Sequence, residues 1–269
     1  MDNLAPKTIL LTGATDGIGF EAAKQFAQQG HHLLVHGRSP EKVEKVINQL
    51  SCINSNAKFT PIIADLSSMT AVENMISDVK QHVKQLDVLI NNAGIFKTPN
   101  PVTDEGLDIR FVVNTLAPYR LTMQLLPLMN TNSRVVNLSS AAQASVDYDA
   151  LAGSKRLGDN PAYAQSKLAI TMWTSALAKQ YKGKGPMMVS VNPKSLLASK
   201  MVKEAYGIQG SDISVGGDII VRAALSDEFA DAHGKYYDND IEAFAPPHSD
   251  ATDMAKNERL VEVIERFYS

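Results

Sequence analysis

Tyr163-Ala164-Gln165-Ser166-Lys167 sets a phenol and an ammonium four residues apart, a spacing that puts both on one face of a helix. A free tyrosine ionises near pH ~10, and a neighbouring ammonium favours its phenolate and lowers that value. The pair suits transfer of a proton to or from an oxygen atom. In isolation it is equally an ordinary surface Tyr and Lys. Upstream, however, stand Asn91-Asn92-Ala93-Gly94, Asn114 and Asn137-Leu138-Ser139-Ser140. Each of these polar clusters falls at the carboxyl end of an expected strand or in the adjoining helix, where open α/β sheets bind ligands.

A second chemical feature lies near the N-terminus. Thr12-Gly13-Ala14-Thr15-Asp16-Gly17-Ile18-Gly19 follows the apolar run Thr8-Ile9-Leu10-Leu11 and leads into a helical pattern. Glycines at a strand-to-helix junction let the backbone turn sharply and lie close to a pyrophosphate, which the helix N-terminus then attracts. The spacing is G-x-x-x-G-x-G, not the commoner G-x-G-x-x-G. The end of the second strand would face an adenosine ribose, and His36-Gly37-Arg38-Ser39 has no carboxylate there. Arg38 and the Ser39 hydroxyl suit a 2′-phosphate instead, so NADP is expected and NAD is less favoured.

The elements that must hold these groups alternate. Short apolar runs at Thr8–Leu11, His32–Val35, Lys58–Ala64, Val88–Ile90, Arg134–Leu138 and Met187–Val191 read as strands, with a last one at Gly234–Tyr237. Between them Gly17–Gln29, Pro40–Leu50, Ser67–Gln85, Glu105–Leu126 and Ala162–Tyr181 read as helices, and Met254–Tyr268 closes the chain. Repeated βα units with apolar strands imply a parallel sheet covered on both faces. No linker, repeat or charge block divides the 269 residues, so one domain over 1–269 is expected.

Taken together, T-G-A-T-D-G-I-G, Asp65-Leu66, N-N-A-G, Ser139-Ser140 and Y-A-Q-S-K resemble the short-chain dehydrogenase/reductase family over nearly the whole chain. The resemblance implies a Rossmann-type, doubly wound, mostly parallel seven-stranded sheet. It implies that Gly13, Gly17 and Gly19 hold the pyrophosphate, with Thr15, Asp16 and Ile18 also binding the cofactor. Asp65 would meet the adenine and Asn92 and Ala93 the neighbouring ribose and backbone, with Leu66 and Gly94 also binding the cofactor. Asn114, Ser140, Tyr163 and Lys167 would form the catalytic tetrad, Ser140 being chosen because the second serine of the pair is catalytic in the family. Tyr163 would exchange a proton with the substrate oxygen, and Ser140 would donate a hydrogen bond to it. Lys167 would lower the tyrosine pKa and meet the nicotinamide ribose; Asn114 would anchor a water.

Two departures stand out. The 22 residues between Ser140 and Tyr163 resemble the insert of the retinol-dehydrogenase-like branch, as does the tail from Gly234. After the sixth strand the family has Pro-Gly where this chain has Pro193-Lys194. Lys194 either adjusts the loop or crowds the nicotinamide, and the Ser or Thr that meets the carboxamide is assigned to Ser199. Ser195–Ile213 is the expected flap over the substrate. Its Leu196, Leu197, Met201, Val202, Tyr206 and Ile208 suit an apolar aldehyde, ketone or secondary alcohol, or a helix packed on its own core.

Composition narrows the rest. A net charge of −3 gives no general attraction to nucleic acid or anionic membrane. No stretch approaches the ~20 apolar residues of a spanning helix, and the N-terminus lacks the run of a signal peptide. A soluble, cytoplasmic enzyme without membrane anchor or metal is expected. The single cysteine, Cys52, reads as filler near a helix end. Ala169, Met172, Trp173, Ala176 and Leu177 form either a homodimer interface, as the resemblance suggests, or part of one chain's core. The rival readings are a sugar epimerase, disfavoured because fewer than 90 residues follow Val191, and a non-catalytic nucleotide-binding regulator if Lys194 disables the site.

Overall fold

The computed structural model describes residues 5–199, 203 and 207–268. Eight strands form one sheet: β1 (Thr8–Leu11), β2 (His32–Gly37), β3 (Phe59–Ile63), β4 (Val88–Asn91), β5 (Arg134–Leu138), β6 (Met187–Asn192), β7 (Tyr236–Asp238) and β8 (Ala243–Ala245). Their order is β3-β2-β1-β4-β5-β6-β7-β8. The first seven are parallel, and β8 adds an antiparallel edge by pairing Phe244 with Tyr237. The sequence expectation of seven strands is corrected here. The three residues of β8 are too short to show a period, and they stand between a polar turn and Pro246-Pro247.

Alternate residues of each strand feed opposite faces. Ile9 and Leu11 pack with Leu33 and Val35 beneath the helices α1 (Gly17–Gln28) and α2 (Pro40–Ile53), while Leu10, Leu34 and Leu89 pack on the other side beneath α3 (Met69–His82). α4 is a continuous helical run of Ile109–Phe111, a π turn at Val112–Leu116 and Ala117–Leu125. Together with α5 (Asp159–Tyr181) it covers the α3 side. α6 (Ser214–Leu225) joins α1 and α2, and α7 (Met254–Glu265) closes over α5.

Local chemistry sets the helix starts. Asp16, Ser39 and Ser68 each accept a backbone N–H at the first turn of α1, α2 and α3, which satisfies donors that a helix leaves orphaned. α6 packs closely on α1 through a glycine pair: a Cβ on Gly216 would meet Ile18 Cγ2 at 2.4 Å, and one on Gly217 would meet Glu21 Cβ at 2.7 Å. Ala169, Met172, Trp173, Ala176 and Leu177 are all buried within the single chain, where the Trp173 ring meets Tyr119 edge-on at 5.6 Å. Of the two readings open for these five residues, the structure realises the one inside the core.

Candidate active site

The strand order reverses between β1 and β4, which opens a crevice at the carboxyl ends of the strands. On one side of it lies the turn from β1 into α1. Gly13 has φ +66° and Gly17 φ +57°, conformations that cost a side-chain-bearing residue but not glycine. A Cβ on Gly13 would sit 2.9 Å from Ala93 Cα, and one on Gly19 would sit 2.2 Å from the Gly13 carbonyl oxygen. At Gly17 nothing lies within 4 Å of that position, so its missing side chain leaves space open over the start of α1. Asn92 Nδ2 donates to the carbonyls of Thr12 at 2.8 Å and Gly13 at 3.1 Å. The Thr12 hydroxyl accepts from the Asn92 and Ala93 amides, both at 3.0 Å. Two loops from separate strands are thereby joined, and Asn92 Oδ1 is left buried with no hydrogen-bond partner among the described residues.

His36 supports this turn from below. Its Nδ1 accepts from the Gly13 amide at 3.1 Å, which leaves the proton on Nε2, 3.1 Å from the Ala64 carbonyl. Burial outweighs the favourable Ala64 bond and the charge of Asp65, and lowers the imidazole to about 4. His36 is therefore neutral near pH 7. Gly37 is needed beside it, because a Cβ there would meet Thr15 Cγ2 at 2.6 Å. Arg38 is exposed. The Ser39 hydroxyl accepts from the Lys42 amide at 3.4 Å. Asp65 is exposed and accepts from the Ser67 amide at 2.9 Å and its hydroxyl at 2.7 Å, while Leu66 is buried.

Across the crevice, α5 presents Tyr163 and Lys167. The Lys167 Nζ lies 5.8 Å from the Tyr163 ring centre and donates to the Leu138 carbonyl at 2.7 Å. Lys167 is only 4% exposed, and desolvation lowers it to about 8. Phe96 meets the Tyr163 ring edge-on at 4.7 Å. Asn114, on the π turn of α4, accepts from the Ile95 amide at 2.8 Å and donates to the Ile95 carbonyl at 2.9 Å. It also donates to Ser166 Oγ at 3.0 Å, which in turn donates to the Tyr163 carbonyl at 2.7 Å. A Cβ on Gly94 would lie 3.4 Å from Lys167 Nζ and 3.5 Å from Asn114 Oδ1, so the N-N-A-G loop passes close to both.

The two serines differ. Ser139 is buried, its hydroxyl shared with Thr171 at 2.7 Å and with the Lys167 carbonyl at 3.1 Å. Ser140 is partly exposed and its hydroxyl accepts from the Ala142 amide at 3.1 Å, which leaves its proton available to donate. Its carbonyl accepts from Gln143 Nε2 at 2.9 Å and Tyr236 Oη at 3.2 Å.

A profile of the family described as short chain dehydrogenase matches residues 7–207. The chain belongs to the short-chain dehydrogenase family. Among its relatives, human retinol dehydrogenase 13 is 28% identical over 271 residues, covering 93% of this chain and 81% of that protein. Human retinol dehydrogenase 11 is 34% identical over 206 residues, covering 75% and 64%. These place the chain on the retinol-dehydrogenase-like branch, among oxidoreductases. A solved reductase, LugOII, described as catalysing keto-reduction at C1 during lugdunomycin biosynthesis, superposes with TM-score 0.70 at 25% identity, over 89% of this chain and 97% of that one.

Other parts of this dehydrogenase were not singled out from sequence. Thr12, His36, Phe96 and Ser166 all brace the site. Thr12 lies inside the glycine motif, and His36 was legible only as part of the ribose-side stretch. Ser166 lies inside Y-A-Q-S-K, and Phe96 carries no spacing signal. After β6, Pro193 accepts from Asn239 Nδ2 at 3.0 Å through its carbonyl, and Lys194 takes φ +111°. Of the expected flap, Leu196 and Ile208 are exposed, whereas Leu197 is buried beside Gly216. Met201, Val202 and Tyr206 lie outside the described residues, while Ser199 closes the described run with its amide donating to the Leu197 carbonyl at 2.6 Å. Among the described residues no helix is long and apolar enough to cross a membrane, and no acidic or His/Cys group could hold a metal.

Proposed function

We propose that this dehydrogenase interconverts a carbonyl and an alcohol on an apolar aldehyde, ketone or secondary alcohol, using NADP(H), with Tyr163 as the proton donor and acceptor. The observation that supports this reading is Tyr163 and the buried Lys167 side by side on α5, with Lys167 bonded to the end of β5 two residues before Ser140, opposite a glycine turn. The cradle fits a dinucleotide: Gly13 and Gly19 have no room for a Cβ, and Gly17 leaves space where one would project. Gly13, Gly17 and Gly19 would hold its pyrophosphate, Asp65 the adenine, and Asn92 and Ala93 the neighbouring ribose and backbone, with Thr15, Asp16, Ile18, Leu66 and Gly94 also binding the cofactor. Arg38 and Ser39 favour the 2′-phosphate form, since the end of β2 carries a cation and no carboxylate.

The nicotinamide cofactor supplies the hydride when bound. The chain's own residues manage the proton and the charge. Tyr163 gives its hydroxyl proton to the substrate oxygen in reduction and takes one back in oxidation. Ser140 Oγ donates to the same oxygen and stabilises developing negative charge. Lys167, at about 8, still carries its proton most of the time at neutral pH and favours tyrosinate by its charge. Asn114 and Ser166 fix the backbone on which Tyr163 sits. Leu196 and Ile208 supply exposed apolar surface on the expected flap, in keeping with an apolar substrate. The positive φ of Lys194 argues against a non-catalytic reading, because the turn keeps a conformation that glycine would take. We place this activity in a single domain.

Titration with NADPH and with NADH, followed by nicotinamide fluorescence, tests the cofactor. NADPH binding tighter by about tenfold or more, roughly 1.4 kcal/mol, is expected, and Arg38→Ala should erase the difference. Turnover of a panel of apolar carbonyls tests the chemistry. Tyr163→Phe should lose about 100- to 10,000-fold in turnover with NADPH binding retained. Undiminished turnover, or a wild type that binds neither nucleotide, refutes the reading.

A further inference from the structure

Lys194 has φ +111°, a region sparsely used by any residue with a side chain. Its neighbours on both sides are tied to the segment after β7. Asn192, 1% exposed at the end of β6, donates from Nδ2 to Asp238 Oδ1 at 2.8 Å and Asp240 Oδ2 at 2.9 Å. The Asn239 amide donates to the Asn192 carbonyl at 3.1 Å, and its side chain donates to the Pro193 carbonyl at 3.0 Å. Asp240 accepts from the Ser195 amide at 2.9 Å and the Ser195 hydroxyl at 2.6 Å. The residues immediately before and after Lys194 are thus both tied to one segment, which restrains the peptide between them.

We propose that Asn192, Asn239 and Asp240 form a clamp that holds Lys194 in a glycine-like backbone conformation, and so positions the Pro193–Ser195 turn against the nicotinamide end of the cofactor. The inference rests on the oxidoreductase reading given above for its consequence, but the clamp itself is a property of this chain's own residues. Asp240 is the positioning residue at its centre. Burial opposes its charge, but the bonds from Ser195 and Asn192 and the charge of Lys194 outweigh that effect and hold its carboxyl below the usual range. It is therefore ionised at neutral pH and bonds as a full acceptor. The clamp supplies from outside the turn what a glycine in this position would supply from within it.

The test compares wild type, Asp240→Ala, Lys194→Gly and the double variant as full chains, by NADPH affinity and by hydrogen exchange across residues 192–199 without nucleotide. Asp240→Ala is expected to speed exchange of the Ser195 amide and to weaken NADPH binding by about tenfold, roughly 1.4 kcal/mol. In the Lys194→Gly background the same change should cost about threefold or less, because glycine takes a positive φ unaided. An equal loss in both backgrounds overturns the proposal, as does wild-type-like exchange and affinity in Asp240→Ala. If Asp240→Ala does not fold, Ser195→Ala and Asn239→Ala carry the same comparison. A wild type that binds neither NADPH nor NADH sinks the oxidoreductase reading alone. The clamp is then judged by Ser195 exchange, where equal rates in wild type and Asp240→Ala overturn it.

Discussion

Replacing Lys167 with Met removes a buried charge, keeps most of the side-chain volume, and should alter stability in a way whose sign depends on pH. Lys167 is 4% exposed, and burial takes its pKa from the ordinary 10.5 to about 8. Each unit of pKa difference corresponds to about 1.4 kcal/mol, so the charged form is disfavoured in the folded state by about 3 kcal/mol. Between pH 8 and 10.5 the unfolded chain holds this proton while the folded chain gives it up, so wild-type stability rises with pH in that window. Below pH 8 the full penalty is present. The bond to Leu138, lost in the variant, offsets part of it by about 1.5–3 kcal/mol. At pH 7 the variant should therefore be as stable as wild type or more stable by up to about 2 kcal/mol. Urea unfolding of both proteins from pH 7.5 to 10.5 measures the difference. Wild type should gain about 3 kcal/mol on Lys167→Met across the series. A difference that stays flat, or moves the other way, refutes the assignment of a buried, uncompensated ammonium.

His36 should show a matching effect in acid. Its ring takes a proton near pH 6.5 when unfolded but only near 4 when folded, so stability falls as pH drops through that window, by about 3 kcal/mol in all. In His36→Asn that component should vanish, and a wild-type-minus-variant difference equal at pH 7 and pH 4.5 would count against it. Gly19→Ala and Gly17→Ala should separate folding from binding. The first puts a Cβ 2.2 Å from the Gly13 carbonyl oxygen and should cost about 1–3 kcal/mol by thermal unfolding. The second has room, costs about 1–2 kcal/mol through its positive φ, and should mainly weaken NADPH binding; intact binding in Gly17→Ala would argue that the open space holds no nucleotide.

The βα rhythm was legible because buried parallel strands are near-continuous apolar runs, and Leu10-Leu11 or Val88-Leu89-Ile90 admit few other readings. α6 was not. Its Gly216-Gly217 pair suggests a break, and only the close crossing with Ile18 and Glu21 of α1 shows why glycine is wanted inside that helix. The glycine turn and the Tyr163–Lys167 pair were legible because their residues are close in sequence and chemically distinctive. The choice of Ser140 over Ser139 is consistent with their surroundings, since Ser139 is consumed by Thr171 and the Lys167 carbonyl. His36 was legible only as part of the stretch His36-Gly37-Arg38-Ser39 on the ribose side. Its value lies in two bonds, to Gly13 and Ala64, that depend on three strands ending at one level. Asp240 gave no signal for the same reason: its partners Asn192 and Ser195 come from another strand end.

A comparison of two buried cations separates structural from chemical need. Arg110 is 1% exposed and is matched by carboxylates: Nε and Nη2 reach the two oxygens of Asp108 at 2.8 and 2.6 Å, and Nη1 reaches Asp159. Burial opposes its charge, but the Asp108 and Asp159 bonds win and its pKa is raised. Deep in the same helix layer, Lys167 donates to a neutral carbonyl and lies over the Tyr163 ring, with no ion-pair partner among the described residues. A chain that compensates one buried cation so fully is not short of carboxylates. A carboxylate beside Lys167 would relieve its desolvation, but it would also cancel the field that the Tyr163 hydroxyl feels and hold the ammonium away from any other anion. Lys167 is left uncompensated close to the N-N-A-G loop, where Asn92 Oδ1 has no hydrogen-bond partner among the described residues, and the strained φ of Lys194 follows β6 at the same end of the sheet. Local rules are broken together where a site needs them broken, and the neighbourhood of Lys167 has that character while that of Arg110 does not.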